Sequence, residues 1–390
     1  MQYQKKLILT KKPYYEITET KPSLLERFGL YYLHFFKQKD SDHSVFDLTD
    51  AELSKRVNRI TLVGIILSCI VGFVFVFPTV WVDVYFENES WIVHYGWFTI
   101  VTIVSVAVEL YLLFIIALRS VYKVSELINL RNSENELLKE GAFNVNNILA
   151  RAALELPDPE MKLMGIDPFK RVSKKNILLI SLLYKAKIFL SNILLKYGLV
   201  FFVGKTIFGV SILYEAILVE CFWNSIVIRK VVMDARLRLF GFALANQIGK
   251  NIISDGYLAK LSNEAKKSCL QAIGNAVVMA QNYHPNMVIL FFKFQEILNI
   301  KDSDKFDDWA IFLGSLKKVS PEERFFLLDL FTVSAAFDGK LSELEKQSLA
   351  AVYGADYEIY FLRLTRLTQY LKEGKLNAAL VECKLDFEVG

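Results

Sequence analysis

Cysteine and histidine are scarce in this chain, and those present have no spacing that serves chemistry. Four cysteines, Cys69, Cys221, Cys269 and Cys383, are scattered without a CxxC pair, so no disulfide framework is expected. Four histidines supply no HExxH and no His/Cys ligand spacing, which argues against a structural zinc site. A phosphate-cradling loop is missing too: Gly204, Lys205 and Thr206 end like one but lack the upstream glycine. GxGxxG, GxSxG, kinase and deaminase patterns are absent. With no nucleophile–base pair and no ligand set, no enzyme and no cofactor are expected. The net charge of +4 is too small to imply a nucleic-acid partner. The first sixty residues carry no short apolar core of the kind that opens a cleavable signal peptide, so insertion is expected to start at a later span.

What the chain has in abundance is apolar length. Hydrophobic residues make up 53%, and mean hydropathy is +0.31 although 23% of residues are charged. Apolar spans separated by charged soluble segments give that combination. Residues 60–82 and 97–118 are each long enough to cross a hydrocarbon core of about 30 Å, which needs about 20 apolar residues. Gly64 and Gly72 thin one side of the first run, where another helix could come close. Pro78 is expected to kink or finish it. Between the runs, residues 83–96 carry Glu87 and Glu89 but no Lys or Arg, with Trp81, Tyr85, Trp91, Tyr95 and Trp97 as an aromatic belt. Lys55, Arg56 and Arg59 precede the hairpin and Arg119, Lys123 and Arg131 follow it, so the positive-inside rule puts both of its ends in the cytoplasm.

The fold class expected is all-α: a polytopic membrane protein of about four spans in two hairpins, with soluble helical appendages. Residues 1–59 form a cytoplasmic N-terminal region. Within it, 23–38 place Leu24, Phe28, Tyr31, Tyr32 and Phe35 at helical spacing, and that helix either lies in the headgroup plane or packs on the ends of the spans. Thr49 or Asp50 caps the helix that follows. Residues 60–119 are the first hairpin, 120–175 a cytoplasmic helical linker, 176–239 a second hairpin with polar residues, and 240–390 a cytoplasmic helical domain. The second hairpin crosses fully or inserts shallowly; its lysines leave both readings open. Ser320-Pro321-Glu322-Glu323 is a capping box with proline at the first helical position.

Ionisable residues inside the apolar runs are the candidate site. Glu109 falls near the middle of the second run, where an acid costs about 2.5–3.5 kcal/mol on insertion scales and must face other helices or a polar cavity. It is a proton or cation site, or it hydrogen-bonds across an interface to Ser68 or another polar group. The second hairpin adds Lys185, Lys187, Asn192 and Lys196 on one arm and Glu215, Glu220 and Asn224 on the other. A turn near Gly204 would set Lys196 level with Glu215 and Lys187 near Glu220, so the charges could neutralise one another. A path for ions or a contact between copies in a homo-oligomer are the other uses of such a stripe.

Near the C-terminus, residues 327–354 carry Ala335, Ala336, Asp338, Gly339, Ser342, Glu343 and Glu345 in the order helix, tight turn, helix. This segment resembles the signature of tellurite-resistance TerB-like domains, small all-helical units of two related halves. Residues 274–298 align as the other half, with Asn282-Tyr283-His284-Pro285 in place of the acidic turn. The resemblance covers at most about the last 130 residues. It implies a bacterial inner-membrane protein tied to envelope stress, with no catalytic role and a cytoplasmic protein partner for residues 240–390. It also implies a metal held by Asp338, Glu343 and Glu345; against that, one turn offers few of the 6–8 oxygens calcium takes, and Asp338-Gly339 would equally shape the turn while Ser342 caps the next helix. Two functions compete on the sequence: a membrane anchor for this domain, with the bilayer as first partner, and a homo-oligomeric ion channel or transporter subunit.

Overall fold

The computed structural model describes residues 15–16, 24–35, 45–128, 145–156, 162–163, 166–168, 212–300, 305–341 and 343–388. Side chains are described in all of these except 15–16, 162–163, 212–220 and 343–345. Apart from a two-residue antiparallel pairing, Tyr15 with Leu163 and Glu16 with Lys162, the regular elements are helices.

Helix α1 is Leu24–Phe35. Helix α2, Asp50–Tyr85, starts at the expected capping residue: Thr49 Oγ1 accepts the Glu52 N–H at 3.3 Å, and the Glu52 carboxylate accepts the Thr49 N–H at 3.0 Å. Two of the orphan donors at a helix start are thereby satisfied. Pro78 does not end this helix, which continues for another two turns. A proline removes one ladder bond, a loss that neighbouring helices and local adjustment tolerate in an apolar bundle. Helix α3, Trp91–Glu126, begins earlier than the hydropathy suggests, so the loop shrinks from the expected 83–96 to residues 86–90. Both helices are long and apolar enough to cross a membrane.

Their outward faces form a belt of exposed apolar side chains. On α2 it runs from Leu62, 56% exposed, through Ile66, Ile70, Phe73 and Phe77 to Tyr85. On α3 it runs from Trp91 through Ile100 and Ile103 to Tyr111, 49% exposed. At 1.5 Å per residue the α3 belt is about 30 Å tall. The apolar run of α3 therefore divides differently from its hydropathy: 91–111 meet the surroundings, whereas Ile116, Ala117 and Leu118 are buried by protein.

Helix α4, Val145–Ala153, covers that lower part of α3, and α1 packs against both. Helix α5, Ile212–Ser254, is the spine of the molecule. Its 43 residues contain no proline and no glycine before Gly241, so nothing interrupts it over about 65 Å. It passes straight through the 239/240 border at which the sequence divides into membrane hairpin and tail. Its first part lies against α2 and α3, its second in the core of the tail.

The tail continues with the single turn α6, Tyr257–Lys260, then α7, Asn263–Ala280, and α8, Pro285–Leu298. After them come α9, Trp309–Leu316, α10, Pro321–Ala336, α11, Glu343–Tyr353, α12, Tyr357–Glu373, and α13, Leu376–Glu382. Helices α7 and α10 lie side by side and run the same way, because they are joined at both ends. At their starts the Glu323 carboxylate accepts the Ser262 N–H at 2.5 Å and the Ser320 N–H at 3.0 Å. At their ends Asn286, which follows α7 across a short turn, donates through Nδ2 to the Phe337 carbonyl just past α10 at 3.0 Å. Around them Phe291, Phe306, Phe312, Phe326, Phe331 and Tyr353 are fully buried and form a dense aromatic core.

Candidate functional site

Three helices meet where α2 is built from small residues. Thr61, Gly64, Ser68 and Gly72, spaced three or four apart, are all buried. A Cβ on Gly64 would come within 2.9 Å of both Ser120 Oγ on α3 and Ile228 Cγ2 on α5, so only glycine lets the three backbones approach this far. One turn further along, Asn224 Nδ2 donates to Glu109 Oε1 at 3.2 Å and to the Ser68 carbonyl at 3.4 Å. Glu109, Asn224 and Ser68 are all buried, one from each helix. Beside them Cys69 and Cys221 each place Sγ 3.5 Å from the other's carbonyl oxygen, and Cys69 Sγ lies 3.4 Å from Ser225 Oγ. Partner numbers fall on α5 as they rise on α2 (Gly64 with Ile228, Ser68 with Asn224, Cys69 with Cys221), so α5 runs antiparallel to α2 and in the same direction as α3.

Glu109 thus joins helices through Asn224, with the Ser68 backbone as third member. Of the other intramembrane candidates, Lys185, Lys187, Asn192 and Lys196 lie outside the described residues. Glu215 and Glu220 are in the first turns of α5, with their side chains outside the description. The Lys196–Glu215 and Lys187–Glu220 pairs therefore also fall outside it.

The acidic turn of the tail is built as a turn. Gly339 adopts φ +68°, a left-handed conformation that a side chain resists, and its Cα faces Leu237 of α5. Asp338 is buried and accepts the Lys340 N–H at 2.8 Å. Burial pushes its carboxyl up to about 6, against the opposing pull of that N–H, of Lys340 and of Asn282. Glu343 and Glu345 open α11 with their side chains outside the description. Among the described residues no three His, Cys, Asp or Glu side chains are grouped to hold a metal ion.

The tail is fastened through α5 and the start of α2 at three places that sequence reasoning missed. Asn286 donates through Nδ2 to the Leu237 carbonyl of α5 at 3.1 Å and to the Phe337 carbonyl at 3.0 Å, and Gly241 makes room for it. Arg236 of α5 donates to the Lys372 carbonyl, at the end of α12 where the helix dipole favours a cation. At the start of α2, Asp50 accepts the N–H groups of Asn377 and Ala378 at 2.8 and 3.1 Å, capping α13, while Asn377 Nδ2 donates to the Leu48 carbonyl at 2.6 Å. Within the tail, Asp329 is wholly buried; its Oδ1 pairs with Arg363, and its Oδ2 accepts the Asp386 N–H at 3.2 Å. Arg363 also donates to the carbonyls of Glu382 and Lys384, so one ion pair holds the C-terminal segment down. A lone acid in the apolar stretch Leu327-Leu328-Asp329-Leu330-Phe331 was the available signal for this pair; the Asp50 cap had none, because its partner lies more than three hundred residues away.

Comparison with protein-family models, with curated proteins and with solved structures gave no match to this chain.

Proposed function

We propose that this chain is an integral membrane protein that holds a TerB-like helical domain rigidly against the cytoplasmic face of a bacterial inner membrane, as a non-enzymatic docking platform. The observation that carries the reading is α5, one unbroken helix whose first part lies among the two membrane-length helices and whose second part is core of the tail. The Asp50 cap on α13 and the Asn286 bonds add fixed contacts to that joint. A domain held this way reports the position of the membrane helices, unlike one on a flexible tether.

In this reading α5 crosses the bilayer as well. Its antiparallel pairing with α2 sets Ile212 level with the loop end of the hairpin, while α3 finishes at the tail end. That placement agrees with the expected four spans and cytoplasmic termini, the remaining span of that count lying outside the described residues. The two related halves expected of a TerB-like domain fit the paired helices α7 and α10, each followed across a short turn by α8 or α11. Glu109 serves helix association here, since its hydrogen bond ends on a neighbouring helix.

Three measurements test the proposal. The full-length protein should stay in the pellet after alkaline carbonate extraction of membranes, and protease added to sealed inverted vesicles should digest the tail. Reconstituted in liposomes, it should pass no ions under a potassium or proton gradient. Release by carbonate would end the membrane reading, and a flux abolished by Glu109→Gln would replace the platform with a channel.

A further inference from the structure

We infer that α1 is a second membrane element of a different kind, a helix lying in the cytoplasmic leaflet with one apolar edge among the lipids. The inference rests on the proposed membrane reading and extends it to residues that reading does not use.

Helix α1 has two apolar sides, and the protein covers only one. Glu26, Gly29 and Leu33 recur at helical spacing and are buried. Gly29 lets α4 come close, since a Cβ there would meet Ala150 Cβ and Leu154 Cδ1 at 3.0 Å. Glu26 pairs with Arg151 of α4 at 2.7 Å, both groups nearly buried, so the roll of α1 about its own axis is fixed. At about 100° per residue, Leu24, Tyr31 and Phe35 then fall within about 40° of one another and roughly opposite the buried stripe. They are 83%, 65% and 64% exposed. Arg27 and His34, both exposed, line one flank of this edge.

The other flank says what covers the edge. Phe28 packs its ring 5.7 Å from Tyr111 of α3, and Phe28 also touches Tyr32. Tyr111 is the last exposed apolar residue of the α3 belt on the tail side. The open edge of α1 is therefore continuous with the belt, at the height where the belt ends. An amphipathic helix at that level buries its apolar face in the boundary between headgroups and acyl chains and leaves its cations among the headgroups. Aromatic rings concentrate at the same depth. Water would leave three large side chains exposed in a row on twelve residues, whereas a leaflet covers them without any further protein.

The test replaces Tyr31 or Phe35 with p-benzoylphenylalanine, which keeps an aromatic ring and all native cysteines. The full-length protein is reconstituted in vesicles of phosphatidylcholine with one-third phosphatidylglycerol, irradiated, and analysed by mass spectrometry for phospholipid adducts. The same probe at Phe73 marks the α2 belt, and at Ile311 it marks the tail surface. Adducts at 31 and 35 at least tenfold above those at 311, and comparable with those at 73, support the inference. Adducts at 73 with 31 and 35 no higher than 311 overturn it while leaving the membrane reading intact. If position 73 also gives none, the membrane reading fails and takes this inference with it. Should a position 31 or 35 variant misassemble, the probe at Leu24, which is more exposed than either, carries the same prediction.

Discussion

Along α5 the same helix is held in two different ways. Residues 221–228 sit among neighbours whose outward faces are exposed Leu, Ile, Val and Phe, and they meet α2 and α3 through Gly64, Ser68, Cys69 and Asn224. Residues 231–252 bury Val231, Val232, Leu239, Phe240, Leu244 and Ile248 against a dense aromatic core. In lipid the apolar side chains gain nothing by meeting one another, so association falls to close backbone approach and a few hydrogen bonds. In water the apolar area itself drives packing, at roughly 25 cal/mol per Å². The contrast teaches that a polar residue in the half beside α2 and α3 marks a joint between helices, whereas a polar residue in the tail core must be matched by a partner.

The largest effect is expected at the tail's buried ion pair. Arg363→Met removes the cation facing Asp329 and frees the two C-terminal carbonyls it holds. Breaking a buried pair from one side destabilises by about 3–5 kcal/mol. Thermal unfolding of the tail in detergent, followed by near-ultraviolet circular dichroism, should shift strongly, while carbonate resistance should not change. Loss of membrane retention along with tail stability would show that the two halves are one cooperative unit and would break the comparison.

A pH profile sharpens it. Asp338 titrates at about 6 in the folded tail because burial disfavours the charged form. The folded state therefore binds this proton more tightly than the unfolded chain does. Its contribution is fully present below about pH 4, is lost as pH rises through 6, and is absent above that; the shift corresponds to about 3 kcal/mol. Asp338→Asn keeps an oxygen for the Lys340 N–H and removes the charge. The stability difference between variant and wild type should turn toward the variant as pH goes from 4 to 7. A flat difference across that window would mean that Asp338 is not buried as described.

Gly241→Ala probes how α5 is seated in the tail. A Cβ at that position would lie 2.1 Å from Asn286 Nδ2, and overpacking of this kind costs about 1–3 kcal/mol. Asn286→Ala should also destabilise the tail by loss of its two hydrogen bonds. The double variant should be no worse than Asn286→Ala alone, because the clash disappears with the amide. Additive losses, measured by the same unfolding assay, would place the two residues apart.

Much of this architecture was legible before the structure. The hairpin, its small-residue face, the Thr49 and Ser320 caps and the all-helical class all rest on local signals such as apolar length, glycine spacing and capping residues. Glu109 stood out because a charge in an apolar run has no local explanation, and Asn224 because a polar amide there has none either. Their pairing was not legible, because it depends on which way α5 runs past α2 and α3, and that is decided by contacts across more than a hundred residues. The unbroken passage of α5 through residue 240 was hidden as well. A helix that leaves one apolar environment for another keeps an apolar face throughout, so hydropathy shows only where charged residues gather and not where the helix stops.

The smallest expected effect lies where α2, α3 and α5 meet. Asn224→Ala removes the donor to Glu109 Oε1 and to the Ser68 carbonyl. In water a buried carboxyl that loses such a partner costs several kcal/mol, but double-mutant cycles on membrane helices average only about 0.6 kcal/mol per hydrogen bond, with a maximum near 1.7. Asn224→Ala should therefore cost about 1 kcal/mol in unfolding by sodium dodecyl sulfate, well below Arg363→Met, and Glu109→Gln should cost less still because an amide oxygen still accepts from Asn224. The ranking is the informative part: equal losses at Asn224 and Arg363 would mean that water, not lipid, is the medium around α2, α3 and the first part of α5.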